Sequence, residues 1–307
     1  MFRYVAFIFV LIGGLGSLGV THAGSGFSVF SWPQPGTTVL GDIQYTHVAE
    51  GETLLDIGER YGLGYADIRD ANPSLDPWIP EVGATVVLPT QFILPNARWQ
   101  GIVINLAEYR LYHFLPERSE IHTYPVGIGV SNTPTPTGDM QITARIPNPT
   151  WYPPESIRNA WESQGKEVRR QIPAGPDNPL GPFAINLSAK GYLIHGTNQK
   201  FGIGTRASAG CIRMNNWDIE RLATNTHIGV EVTIINQPVA LGVRGQKILL
   251  KAHPPPNHEV TPMSLTDLVY QLNQLRKQHP DRLAETDWDS LTQVFTQRRG
   301  IASPITF

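Results

Sequence analysis

The chain holds a single cysteine, Cys211, in the run Ser208-Ala209-Gly210-Cys211-Ile212-Arg213-Met214, and 16 residues before it His195 closes the apolar run Tyr192-Leu193-Ile194. A thiol attacks only as its thiolate, so it needs a base within hydrogen-bond reach. Acyl chemistry also needs backbone N–H groups aimed at the oxygen that gains charge. A histidine at a strand tip supplies the first need. Ala209 and Gly210 serve the second, because small side chains let a substrate carbonyl approach the backbone. Asn215 or Asn216 can cap a helix starting at Trp217, which places Cys211 shortly before a positive dipole end that favours a thiolate. The competing role for the cysteine is that of a small buried hydrophobe, and that for the histidine a structural strand end.

Other chemistries find little material. The acidic residues show no pair spaced for glycosidase work, and no His, Asp and Glu cluster is grouped as zinc ligands, so neither metal nor cofactor is expected. His47, His113, His122, His227, His253, His258 and His279 lie away from the two motifs in sequence. Lys+Arg number 24 against 26 Asp+Glu, which leaves no basic excess to draw a nucleic acid.

Elements must position the thiol and its base. Gly 29 and Pro 26 in 307 residues point to many tight turns between short strands. Such strands are read at Ile102 to Ile104, Tyr109 to Leu115, Thr123 to Ile128, Met140 to Ile146 and Ile228 to Ile235, bounded by turn formers, and an antiparallel system is expected. Between them the proline-rich stretch from Pro147 to Pro182, with one helical piece near Glu155 to Ala160, reads as an ordered lid over a site.

Upstream, residues 42–90 read strand, helix, helix, strand, with Thr53 as N-cap, a second helix from Tyr65 to Ala71 ending at Asn72-Pro73, and a returning strand from Thr85 to Leu88. Residues 1–23, with Arg3, an apolar run and Thr21-His22-Ala23, read as an export signal, with a retained anchor as the alternative. Residues 24–41 lack any sustained period and read as a linker. Residues 237–307 carry Leu265, Leu268, Val269, Leu272 and Leu275 at helical spacing and a second helix from Asp287 to Gln297, so a helical extension packed on the preceding domain is expected.

Residues 42–90 resemble a LysM module through Tyr45, Val48, Gly51-Glu52-Thr53-Leu54, Asn72-Pro73 and Gly83 to Pro89. Residues 97–236 resemble the YkuD-type L,D-transpeptidase family, in particular its exported, LysM-bearing ErfK/YbiS branch of Gram-negative bacteria. The matching stretches are Thr135-Pro136-Thr137-Gly138, Asn178-Pro179-Leu180-Gly181, His195-Gly196-Thr197 and Ser208 to Met214. One position departs: many members have a histidine where this chain has Ala209, which leaves His195 as the candidate base.

The resemblance implies a mainly β protein. Its catalytic domain would be β-sandwich-like, preceded by a small α/β module of βααβ order and followed by the helical tail. It implies a periplasmic enzyme in which Cys211 attacks the diaminopimelate carbonyl of a peptidoglycan tetrapeptide stem, His195 protonates the departing D-Ala, and an amine resolves the thioester. Gly210 and Cys211 N–H groups would hold the oxyanion. Arg213 would anchor a substrate carboxylate, with an internal ion pair as the alternative; Ser208, Gly196, Thr197 and Asn198 complete the expected substrate contacts. Implied partners are stem peptides, glycan strands and carbapenem-type inhibitors. The acceptor stays open among a stem amine, a lipoprotein lysine and water, the last giving a carboxypeptidase or amidase. A wall-binding protein with an idle thiol is the reading from another class.

Overall fold

The computed structural model describes residues 28–199, 201–254, 263–279 and 283–307. The export signal expected at residues 1–23 lies outside the described residues. The protein is mainly β, with a nine-stranded sheet ordered Ser28–Ser31, Glu120–Pro125, Arg110–Leu115, Gly101–Asn105, Glu231–Ile235, Gly138–Pro147, Phe183–Leu187, Leu193–His195 and Ile212–Arg213. Pairing is antiparallel except at two ladders. Glu231–Ile235 runs parallel to Gly101–Asn105, and Leu193–His195 runs parallel to Ile212–Arg213.

Gly138–Pro147 joins the two halves. Its first residues pair with Glu231–Ile235, its last with Phe183–Leu187, and the register shifts between Ile142 and Ala144. A strand that changes partners through such an irregularity lets a sheet fold over on itself. Both halves accordingly share one core, in which Ile102, Ile104 and Val232 meet Ile142, Ile185, Ile194 and Ile212. The helix Asn216–Thr224 packs Ile219 and Leu222 into it.

The period-2 alternation of strand side chains sends Val103, Tyr112, Phe114 and Ile121 to the opposite face, where they meet Leu54, Ile57, Ile68, Val86 and Leu88 of the βααβ unit. In that unit Gln44–His47 pairs antiparallel with Thr85–Leu88, and Leu54–Arg60 and Tyr65–Ala71 are helical. Thr53 caps the first helix, its Oγ1 accepting from the Asp56 N–H at 3.1 Å while Asp56 accepts from the Thr53 N–H at 3.0 Å. Asn72 stitches the second helix to the returning strand, donating to Val87 O at 2.8 Å and accepting from Val87 N–H at 2.7 Å.

Two expectations for the flanks change. Residues 28–41 are not a linker. Ser28–Ser31 is the edge strand on Glu120–Pro125, and Val39–Leu40 pairs with Phe92–Ile93. So short a strand has no room for a period, and its partner lies about ninety positions away, so nothing local announces it. The C-terminal part is likewise not only helical. Val239–Arg244, Lys247–Ala252 and Ser303–Pro304 form a three-stranded sheet on which the helices Leu265–Gln278 and Trp288–Gln297 pack.

The three parts are welded by buried charge. Arg110 on the sheet bonds Asp67 of the second module helix at 2.7 Å and also faces Gly62 O and Thr123 Oγ1. Lys251 of the C-terminal sheet bonds Glu108 at 2.7 Å, and Tyr112 donates to the same carboxylate at 2.9 Å. Phe92 lies between both cations, 4.3 Å from the Arg110 guanidinium and 5.0 Å from the Lys251 ammonium. Burial opposes ionisation of Glu108, yet Lys251, His253 and Arg110 bring its pKa down to about 2.

Candidate active site

The parallel ladder puts Ile194 opposite Ile212 and His195 opposite Arg213. Alternation sends the two isoleucines into the core. Leu193, His195, Cys211 and Arg213 share the other face and form the floor of a cleft of about 740 Å³. The proline-rich segment supplies the facing wall with Trp151, Tyr152, Ile157 and Leu180. Asn178 orders it from within. Fully buried, it turns its Nδ2 to the carbonyls of Pro149, Ile172 and Pro173 at 2.7, 3.1 and 3.0 Å and accepts from the Leu180 N–H at 2.9 Å.

The turn carrying the thiol is held on both sides. Ser208 Oγ donates to Cys211 O at 2.5 Å and accepts from the Gly210 N–H at 3.2 Å. Thr135 Oγ1 donates to Gly210 O at 2.8 Å and accepts from the Gly129 N–H at 2.9 Å. Gly210 has φ +104°, and a Cβ there would lie 2.9 Å from the Tyr192 ring, so only glycine fits. This geometry corrects the oxyanion expectation. The Gly210 N–H is committed to Ser208, whereas among the described residues nothing accepts from the Cys211 N–H.

His195 is buried, and its Nδ1 lies 2.6 Å from Gly196 O. A carbonyl only accepts, so Nδ1 carries the proton and Nε2 keeps its lone pair for a proton from elsewhere. The N–H of the same peptide unit, that of Thr197, donates to Asn216 Oδ1 at 2.8 Å. One peptide plane is thus clamped between the imidazole and Asn216. The fit is tight, since a Cβ at Gly196 or at Gly181 would lie 2.5 Å from Asn216 Oδ1. Asn215 is the N-cap residue of the helix but its side chain makes no capping bond; sequence reasoning saw both asparagines only as caps. A second asparagine directly after the N-cap position is the one local hint of the role of Asn216.

Burial moves both groups toward neutrality. It lowers the His195 pKa to about 4, with Arg213 acting in the same sense and the Gly196 bond against it. It raises the Cys211 thiol, against the Leu193 N–H and Arg213, which favour the thiolate. Cys211 Sγ lies 3.7 Å from Gly191 O. The helix begins five positions after Cys211, beyond the reach of a dipole effect that fades within one turn. Both shifts favour the neutral forms, a thiol and a neutral imidazole.

Arg213 faces the cleft, and among the described residues no carboxylate pairs with it and its Nε has no bond. Burial lowers its pKa. Ser208 lines the cleft, but Gly196, Thr197 and Asn198 do not. Gly196 orients the imidazole from behind, and Thr197 and Asn198 line a separate groove with Trp217. Their side chains follow the chain past the strand end to the other side of the His195 loop, which a linear motif does not encode.

Comparison with known proteins is consistent across the chain. A family described as "L,D-transpeptidase catalytic domain" (YkuD) matches residues 100–234. The probable L,D-transpeptidase YcfS of Escherichia coli is 38% identical over 280 residues, spanning 88% of this chain and 87% of that protein. The probable L,D-transpeptidase ErfK/SrfK of Salmonella typhimurium is 39% identical over 218 residues, 69% of this chain and 70% of that protein. The probable L,D-transpeptidase YbiS of Escherichia coli is 36% identical over 217 residues, 69% and 71% of the two.

Proposed function

The chain belongs to the L,D-transpeptidase family, and on that premise we propose that it is a periplasmic acyltransferase in which Cys211 is the nucleophile and His195 the base. The observation that carries this reading is that Cys211 and His195 share one cleft floor while Gly196 O fixes His195 Nδ1 as the donor and frees Nε2. As Sγ attacks the diaminopimelate carbonyl of a tetrapeptide stem, its proton passes to Nε2. The Cys211 N–H holds the developing oxyanion. The tetrahedral intermediate expels D-Ala, whose amine takes the proton from His195, and a thioester on Cys211 remains. An amine then attacks the thioester, gives its proton to His195, and the regenerated thiol receives that proton. The bond energy stays in the thioester, so the cycle asks for no other energy source.

Arg213 supports the same substrate class. A half-buried guanidinium that pairs with no carboxylate among the described residues, on the floor beside the thiol, is complementary to the free carboxylate of the stem. The βααβ unit, similar to LysM, is assigned to the glycan strands, and the acceptor to the amine of a second stem or of a lipoprotein lysine. A strained β-lactam carbonyl of the carbapenem type reacts at Cys211 as the stem does, and its opened ring stays attached to the acyl group.

Mass spectrometry of muropeptides tests the assignment. Purified protein incubated with tetrapeptide-rich wall material, with and without the lipoprotein, is expected to release D-Ala and yield amine-linked products, and Cys211→Ala to yield none while still sedimenting with the wall. Turnover by Cys211→Ala overturns the assignment of the nucleophile, and products carrying only a new free carboxylate assign water as acceptor.

A further inference from the structure

Behind the His195 loop, on the far side from Cys211, lies a groove of about 610 Å³ whose chemistry differs from that of the cleft. We propose that it is a saccharide-binding site, which takes a neutral N-acetylated sugar of the glycan strand whose stem occupies the cleft; this rests on the peptidoglycan reading above. Trp217, in the first turn of the helix Asn216–Thr224, stands 75% exposed at its rim, a large apolar face with little protein covering it. Sugar rings present C–H faces that stack on such a surface, while the indole N–H can reach a hydroxyl.

The polar lining points to the same class. Asn198 Nδ2 donates to Asp177 O at 3.0 Å, Asn215 Nδ2 donates to Asp218 at 3.1 Å, and Asn216 Oδ1 accepts from Thr197 N–H at 2.8 Å. Each amide is thus fixed by one end. Among the described residues Asn198 Oδ1, Asn215 Oδ1 and Asn216 Nδ2 remain uncommitted, two acceptors and one donor held in place for hydroxyl and acetamido groups.

Charge separates this site from the cleft. No Arg or Lys lines the groove among the described residues, and its only charged groups are Glu59 and Glu220. A phosphate or a stem carboxylate finds no cation there among the described residues, whereas the cleft offers Arg213. In a stem-bearing sugar the lactyl carboxyl is consumed as an amide, so the sugar itself is neutral. Glu59 belongs to the first helix of the βααβ unit, so the groove is continuous with the part of the chain assigned to glycan.

Calorimetric titration with the β-1,4-linked N-acetylglucosamine tetramer, on the full chain, is the direct test. Trp217→Ala is expected to weaken binding about tenfold, and Trp217→Tyr to retain most of it. Kinetically, the ratio of KM for a disaccharide-linked tetrapeptide to KM for the sugarless tetrapeptide should rise about tenfold in Trp217→Ala. An unchanged ratio and unchanged affinity overturn the site. So does loss of tetramer binding in Trp78→Ala, which removes the exposed indole stacked on Tyr65 in the βααβ unit, with no loss in Trp217→Ala; that outcome puts the sugar on the βααβ unit alone. A wild type that turns over neither tetrapeptide would instead overturn the functional reading.

Discussion

At the junction of the three parts, Arg110 meets Asp67 and Lys251 meets Glu108, each at 2.7 Å, so four buried charges form two ion pairs. In the Cys211 cleft the arrangement is reversed. Arg213 meets no carboxylate, the Cys211 N–H meets no acceptor among the described residues, and the bond at His195 Nδ1 leaves Nε2 open. Arg110 Nε and His253 Nε2 also lack bonds at the junction, so what is balanced there is charge and not every polar atom. Desolvating a charge costs several kcal/mol per ion unless a partner offsets it. Where the chain supplies the partner, the charge fixes one part to another. Where the chain withholds it, the charge stays half-exposed at the cleft floor.

The largest expected effect would come from removing the open nitrogen in the cleft. His195→Ala should slow acylation of Cys211 by a carbapenem by roughly 10²- to 10⁴-fold, the usual contribution of a general base, read as the rate of one added drug mass by intact-mass spectrometry. An adduct forming as fast as on the wild type would show that the open valence of His195 does no chemistry, and the contrast between the two regions would then concern stability alone.

A change at the junction should act on stability first. Arg110→Ala leaves the Asp67 carboxylate buried without a partner and should cost about 3–5 kcal/mol in urea unfolding, whereas Arg110→Met combined with Asp67→Leu should recover most of it. Deletion of residues 42–90 should for the same reason give an aggregating protein and not a free catalytic domain, since it uncovers Tyr112, Phe114 and Ile121 as well as Arg110. A soluble, active deletion protein would break the comparison by showing that the junction pairs are dispensable.

The smallest effect sharpens it. Asn216→Ala frees the Gly196–Thr197 peptide and, on the sugarless tetrapeptide, should lower kcat by up to about 100-fold with little change in KM. Asn216→Asp, which keeps an acceptor for the Thr197 N–H, should retain most activity. In the wild type kcat/KM should hold as pH falls and be lost only through about 4, because burial depresses His195 and the base must be neutral. In Asn216→Ala, water reaching the imidazole should move that limb up toward about 6.5. A wild-type limb near 6.5 would mean that His195 is solvated.

The sequence by itself determined the two residues that meet on the cleft floor, Cys211 and His195, the order of the βααβ unit, the mainly β class and the proline-rich wall. These are written in local signals: a lone thiol among small residues, a histidine ending an apolar run, a capping threonine, prolines that forbid a ladder. Only the tertiary structure decided what those residues touch. Ser28–Ser31 became an edge strand because Glu120–Pro125 offered it hydrogen bonds, and the C-terminal strands formed because they pair with one another across distant chain. Thr197 and Asn198 left the cleft, and Gly210 lost its oxyanion role, because each backbone or side-chain polar group has only so many bonds to make and a neighbour in space had claimed them. The pairing of Arg110 with Asp67 and the open state of Arg213 are likewise invisible in a chain where both read simply as arginine, since the cost of a buried charge is set by what surrounds it in three dimensions.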